Sequence, residues 1–245
     1  MVKKTKFKCT AISDTHTRHS RLPRLPGGDF LFHTGDSTFF GQPGEVETFL
    51  EWFSKQKYTH KIFLAGNHDI GFEPSIYGMK TIEGDGDLLY FRGMILKKNL
   101  QEKYRQQALD KGIIYLDKEG IELDGVNIYG IPDQPAFCGW AFNYDREGDI
   151  AEKIFSKIPK NTDVLMTHGP PSGILDGSPH GRLGCPELRK AVDRIKPKVH
   201  IFGHIHERYG VEETEDTKFI NACSLQRDYE TTNKPVTFTI DKKIP

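Results

Sequence analysis

Residues 198–210 read "KVHIFGHIHERYG". Val199, Ile201 and Phe202 form a short apolar run bounded by turn residues, the pattern of a buried strand. The run stops at Gly203, and His204 and His206 follow with one residue between them. A lone imidazole beside an apolar strand is commonly a satisfied edge group, whereas two on one side of a strand end offer paired lone pairs to a cation. Residues two apart point the same way in extended backbone, so the spacing predicts that His204 and His206 grip in one direction.

The same arrangement recurs along the chain. "CTAIS" ends in Asp14 and His16, "FLFHT" in Gly35 and Asp36, "IFLA" in Gly66, Asn67, His68 and Asp69, and "VLMT" in His168. In open α/β sheets, sites collect past the carboxyl ends of the strands, so five such ends can converge on one point. Asp14, His16, Asp36, Asn67, His168, His204 and His206 supply carboxylate, carboxamide and imidazole donors with no thiol. That set suits Mn²⁺, Fe, Co²⁺, Zn²⁺ or Ni²⁺ rather than Cu(I) or an iron–sulfur cluster. Seven donors are too many for one tetrahedral ion and fit two divalent metal ions that share a carboxylate.

Around these blocks the pattern predicts strands over 7–13, 29–33, 60–65, 126–131, 163–167, 198–202, 217–222 and 235–240. Helices are predicted over "PGEVETFLEWFSKQ", where Val46, Phe49, Leu50 and Phe53 form one stripe, and over "CPELRKAVDRIK", where Leu188, Ala191, Val192 and Ile195 do. Two further helices are expected over 99–111 and 146–157. Several strands are apolar throughout, which implies a largely buried sheet covered by helices. No helix separates the last two strands, so part of the sheet is expected to be antiparallel. The fold class is α/β, and 1–245 is read as a single domain.

Lys+Arg 34 balance Asp+Glu 34, so the chain shows no electrostatic signature for nucleic acid or an anionic membrane. Cys9, Cys138, Cys185 and Cys223 form no CxxC pair, which excludes a cysteine zinc site and favours reduced thiols. The opening "MVKKTKFKCTAIS" has no signal-peptide core, so a cytoplasmic protein is expected. His33 and His200 fall within strands and are read as buried or supporting groups, and His60 as exposed. Arg18, His19, His180 and Arg182 lie in polar loops and remain open between contact with substrate and solvated surface.

D-x-H, G-D, G-N-H-D, H and G-H-x-H, in this order, resemble the calcineurin-like metallophosphoesterase superfamily over about residues 7–240. "SDTH", "LFHTGD", "GWAFN", "LMTHGPP" and "FGHIHERYG" are similar to a narrower group within it, the metallophosphoesterase-domain-containing (fetal brain) proteins. Some members of that group carry Gly at the position of His204; the donor is present here, so both metal positions are expected to fill.

The resemblance implies a four-layer α/β/β/α sandwich of two mixed sheets flanked by helices. It implies that Asp14, His16, His206 and Asp36 hold one ion, and that Asn67, His168, His204 and the shared Asp36 hold the other. His68 would be the catalytic proton donor, oriented by Asp69, with Asn67 and His68 meeting substrate while a hydroxide held between the ions attacks phosphorus. Protein phosphatases of the superfamily extend the second block to G-D-x-x-D-R-G, and "GDSTFFGQ" has no arginine there. The expectation is therefore a phosphodiesterase for small diesters such as cyclic nucleotides. Its alternatives are a phosphomonoesterase and a non-catalytic scaffold that binds metal and nucleotide.

Overall fold

A computed structural model describes residues 6–73, 100–146, 149–179, 181–230 and 232–242. Its first sheet contains β1 (Lys6–Ile12), β2 (Gly28–Thr34), β3 (Tyr58–Leu64), β4 (Ile114–Tyr115) and β15 (Val236–Asp241), in the order β15-β1-β2-β3-β4. Strands β1 to β4 run parallel, and β15 closes the edge antiparallel to β1. The second sheet contains β5 (Glu119–Leu123), β6 (Val126–Ile131), β9 (Val164–Thr167), β12 (Val199–Phe202), β13 (Gly210–Glu213) and β14 (Lys218–Asn221). Its order is β13-β14-β12-β9-β6-β5, parallel in the middle with an antiparallel strand at each edge. Two short pairs complete the strands, β7 (Gln134–Pro135) with β8 (Asn143–Tyr144) and β10 (Gly177–Ser178) with β11 (Gly181–Arg182).

Strand alternation builds the layers. Phe7, Cys9, Ala11, Phe30, Phe32, Ile62 and Leu64 face inward from the first sheet and meet Ile128, Val164, Met166, Val199, Ile201 and Ile220 from the second. The opposite face of the first sheet, with Ile12, Leu31 and Phe63, is covered by α1 (Pro43–Ser54) and α2 (Gln101–Asp110). The stripe Val46, Phe49, Leu50, Phe53 is the buried face of α1, as its spacing predicts. Leu165, Phe202 and Phe219 on the outer face of the second sheet pack on α3 (Ile150–Phe155) and α4 (Pro186–Ile195). Two mixed sheets between helices give the four-layer α/β/β/α sandwich.

The expected antiparallel pairing is present at the sheet edges, and two local features go beyond the sequence reading. The last two strands, β14 and β15, do not pair: β14 lies parallel to β12 in one sheet, and β15 antiparallel to β1 in the other. A missing helix between strands does not require a hairpin when the connection can cross between sheets. The β5–β6 hairpin was not anticipated, although Asp124-Gly125 between Leu123 and Val126 is its signal. Both turn residues have left-handed φ, 51° and 77°, as a tight two-residue hairpin requires. The predicted helix ends at 99, 147 and 148 lie outside the described residues. Among the described residues, no helix is long and apolar enough to cross a membrane.

At one end of the sandwich the two sheets are joined directly. Ser13, just past β1, forms a parallel bridge with Cys223, just past β14, and Ser224 N donates to Ser13 O at 2.8 Å. Loops leaving both sheets therefore meet there.

Candidate metal centre

All seven predicted donors come to that end. A ligand atom from each of Asp14, His16 and His206 lies within 4.8 Å of the other two, and the same holds for Asp36, His168 and His204. Asp36 is also within that distance of His16 and His68 as a third set, so its carboxylate stands between the two groups. Asn67 joins the second group: its Oδ1 is 2.9 Å from His168 Nε2.

The backbone that brings them together is not extended. Asp14, His16, Thr17, Asp36 and His204 have φ of 51°, 38°, 63°, 54° and 67°, left-handed values that cost non-glycine residues about 1–3 kcal/mol each. Packing elsewhere compensates, because the turns are bonded to one another. Asp14 N donates to Gly35 O at 2.9 Å, His16 N to Asp36 O at 2.9 Å and Thr17 N to Ser37 O at 3.0 Å. The expectation that His204 and His206 grip in one direction is corrected accordingly. The left-handed turn at His204 sends it to Asp36 and His168, and His206 opens a short helical turn (His206–Arg208) beside Asp14 and His16.

The three glycines of the motifs serve close approach. A Cβ on Gly203 would overlap the Asp14 carboxylate and the Ser13 side chain. One on Gly35 would stand 2.5 Å from His168 Nδ1. Gly66 is the clearest case, since its φ is not left-handed and space alone excludes a side chain: a Cβ would meet Asp36 N at 2.5 Å and His168 Cε1 at 2.6 Å. Gly66→Ala is therefore expected to cost about 1–3 kcal/mol through overpacking and to weaken cation binding as Asp36 and His168 are pushed apart. Thermal melting and calorimetric Mn²⁺ titration check this; an alanine variant that binds like the parent would show that the two groups can yield.

Charge and burial fit the donor set to cations. Burial opposes ionisation of Asp14 and Asp36, but the imidazoles around them outweigh it and hold both carboxyls below their usual range. Burial pushes His16 and His204 down to about 3, so both rings are neutral with lone pairs free to coordinate. Burial also acts on His168, yet the Asp36 charge beside it prevails and raises it to about 9. His206 is raised in the same way, against its burial, by Asp14 at 3.4 Å. The protonated His168 ring thus supplies positive charge that a bound cation would replace. His16 Nε2 and His206 Nε2 face each other at 3.4 Å, and His16 Nδ1 is buried without a partner among the described residues. Two facing ring nitrogens share at most one proton, whereas a cation between them uses both lone pairs.

Supporting hydrogen bonds fix the donors. His168 Nδ1 is 2.8 Å from Thr34 O, His206 Nδ1 is 3.3 Å from Gln226 O, and His204 N reaches both Asp14 oxygens at 3.1 Å. His33 and His200 act one step further out, as the sequence suggests: each is fully buried and bonds a hydroxyl next to a donor, Thr15 at 3.0 Å and Thr167 at 2.9 Å. Cys223 Sγ donates to Asp14 Oδ2 at 3.3 Å.

His68 is held differently from expectation. Its Nδ1 lies 2.9 Å from Phe39 O, and Asp69 does not reach it. Asp69 instead accepts from Ser37 N and Oγ, Thr38 N and Oγ1, and Gly66 N, at 2.7–3.2 Å. This buried carboxylate ties the loop after β2 to the loop after β3; it orients the loops, and a carbonyl orients the histidine. The reason is local: the turn at Gly66–Asp69 directs the Asp69 side chain back into the protein while His68 faces the cavity.

That cavity, about 230 Å³, is lined by Asp36, Asn67, His68, His204 and His206 together with Phe137 and Tyr229. Tyr229 escaped sequence reading. It adopts left-handed φ of 57° and sets its ring against His16 and His206 at 4.9 and 5.0 Å. Trp140, inside "GWAFN", was likewise given no role and stacks on His68 at 3.8 Å. Of the residues left open, His19 is core, buried against Trp52 and Phe49. Arg18 pairs with Glu230 at 2.8 Å and Arg182 with Asp176 at 2.7 Å, and neither lines the cavity. His180 lies outside the described residues. His60, read as exposed, is half-buried and meets Asp124 at 2.9 Å.

Comparison with known proteins agrees with this geometry. The chain is 40% identical over 236 residues to metallophosphoesterase domain-containing protein 1 of Homo sapiens, covering 95% of this chain and 70% of that protein, and the Mus musculus protein matches equally. A UPF0046 protein of Caenorhabditis elegans is 36% identical, over 97% of this chain and 81% of its own length. A solved crystal structure superposes with a TM-score of 0.57 at 15% identity, covering 96% of this chain and 99% of that one, a likeness of fold. The family model for calcineurin-like phosphoesterases matches residues 7–208, from the strand before Asp14 to the turn that carries His206, so the chain belongs to the calcineurin-like phosphoesterase family.

Proposed function

We propose that this protein is a two-cation phosphodiesterase for small diesters, cyclic nucleotides among them, with His68 as its proton donor. The observation that carries the reading is the pair of donor groups with Asp36 standing between them, directly beside the His68 ring. Asp14, His16, His206 and Asp36 would hold one divalent cation, and Asn67, His168, His204 and Asp36 the other. Mn²⁺ suits this thiol-free set, with Fe, Co²⁺, Zn²⁺ or Ni²⁺ as substitutes. Such a pair supplies water acidified to near neutral pH and an electrostatic sink for the phosphoryl oxygens.

The chain's own groups do the rest. The Asn67 carboxamide, at the cavity wall, is available to a phosphoryl oxygen as charge develops there. His68 Nδ1–H donates to Phe39 O, which leaves Nε2 facing the cavity to protonate the departing oxygen. Preference for diesters is supported by what the walls lack and what they offer. Arg227 is the only Arg or Lys among the described lining residues, and Glu207 lies 3.6 Å from it, so a monoester dianion meets little extra positive charge. Phe137, Pro179, Leu183 and Ile205 give an apolar side that a second ester group can occupy. A reducing cytoplasmic setting belongs to the same reading, as all four cysteines are free.

The test is hydrolysis of bis(p-nitrophenyl) phosphate beside p-nitrophenyl phosphate by Mn²⁺-loaded protein, before and after chelation. Turnover of the diester that exceeds that of the monoester and disappears with chelator is the expected result. Faster monoester turnover would overturn the diester assignment, and metal-bound protein inert toward aryl and cyclic-nucleotide diesters would favour the scaffold.

A further inference from the structure

We propose that Trp140 is a positioning residue that locks the His68 ring in the orientation required for proton donation; this rests on the reading of His68 as the proton donor. A single hydrogen bond from Nδ1 to Phe39 O fixes one ring atom and leaves the imidazole free to tilt about that bond. The indole of Trp140 removes this freedom. Its ring is stacked on His68 with centroids 3.8 Å apart and planes at 29°, while His16 meets the histidine edge-on from another direction at 4.6 Å and 85°. With its plane set by the indole and its Nδ1 set by the carbonyl, the position of Nε2 is determined.

Trp140 is itself held. Ala141 N donates to Asn67 O at 3.0 Å, which fastens the tryptophan segment to the loop that carries His68. Phe142 N donates to Glu73 Oε1 at 2.9 Å, and Gln134 N to Phe142 O at 3.0 Å, closing the segment on both sides. The indole also stacks on Phe40 at 5.8 Å, and both rings pack against the core that holds the apolar stripe of α1. An indole face also attracts a cationic ring more strongly than other aromatic side chains do, which suits the form of His68 that gives up a proton. The function expected of Asp69 at this histidine is thus divided between a backbone carbonyl and an aromatic plane.

Trp140→Leu keeps apolar bulk and removes the stack; Trp140→Phe restores a flat ring. The substrates are bis(p-nitrophenyl) phosphate, whose leaving group needs little help, and diphenyl phosphate, whose leaving group needs a proton. Trp140→Leu is expected to lower kcat about tenfold on diphenyl phosphate and much less on the nitrophenyl ester. KM and calorimetric Mn²⁺ binding should hold, Trp140→Phe should recover most of the loss, and Trp140→Leu should add nothing in a His68→Ala background. In metal-free protein, the upfield ring-current shift of the His68 ring protons should vanish in Trp140→Leu, a readout independent of turnover. An equal loss on both substrates, weakened Mn²⁺ binding, or additivity with His68→Ala would make Trp140 a packing residue and overturn the inference. If His68→Ala itself shows no leaving-group dependence, the proton-donor reading fails first and carries this inference with it.

Discussion

Replacing Asp36 with alanine is expected to abolish both turnover and tight binding of two cations, the largest effect of any single side chain. Asp36 links the two donor groups: it belongs with His168 and His204 and also stands near His16 of the other group, its Oδ2 3.4 Å from His168 Nε2 and 3.7 Å from His16 Nε2. Its Oδ1 also accepts from His68 N at 2.8 Å, so the same carboxylate fixes the backbone of His68. Without it, the neutral imidazoles of His16 and His204 remain but the charge that draws the cations inward is halved. Polarisation of a phosphoryl group by bound cations contributes several kcal/mol, so a loss of at least about 10³-fold in kcat is expected. Isothermal titration with Mn²⁺ and diester hydrolysis measure the two consequences, and far-ultraviolet circular dichroism checks that the fold persists. An Asp36→Ala protein that binds two ions would show that the groups are filled independently.

His68→Ala separates chemistry from binding. His68 falls within reach of His16 and Asp36 as a third possible donor set, so the structure allows it to be read as a ligand as well as a proton donor. The proton-donor reading predicts that both ions stay and that kcat falls by about 10²–10⁴-fold, the usual contribution of general acid catalysis. The fall should be steepest for substrates with poor leaving groups. The ligand reading predicts loss of an ion. Metal content after dialysis decides between them, and near-normal turnover with both ions present would remove His68 from the chemistry altogether.

Much of the site was legible because its donors sit at fixed places in a simple pattern. "AISDTH", "HTGD", "AGNHD", "MTHG" and "FGHIH" each join an apolar strand to a polar turn, and parallel strands send their carboxyl ends to one edge. The apolar stripe of α1 and the burial on both faces of β9 and β12 follow from composition and periodicity in the same way. What failed was anything that depended on direction within a turn. Asp69 was expected at His68 because it is adjacent in sequence, yet neighbouring residues in a tight turn point apart, and its carboxylate serves five donors from two loops. His204 and His206 were expected from their spacing to grip in one direction, yet left-handed φ at His204 sends them to different groups, as the family resemblance implied.

Trp140 and Tyr229 could not be assigned by pattern at all. Each lies in an irregular segment, and each gains its meaning only from a ring that another part of the chain brings against it.

The sequence by itself determined which residues are available for coordination, which strands deliver them and that a largely buried sheet covered by helices carries them. These follow from residue chemistry and from the periods of strand and helix, which are local properties. Only the tertiary structure decided what holds the His68 ring and what lines the cavity. Those depend on strained turns that are stable solely because strands from two sheets are packed and bonded side by side.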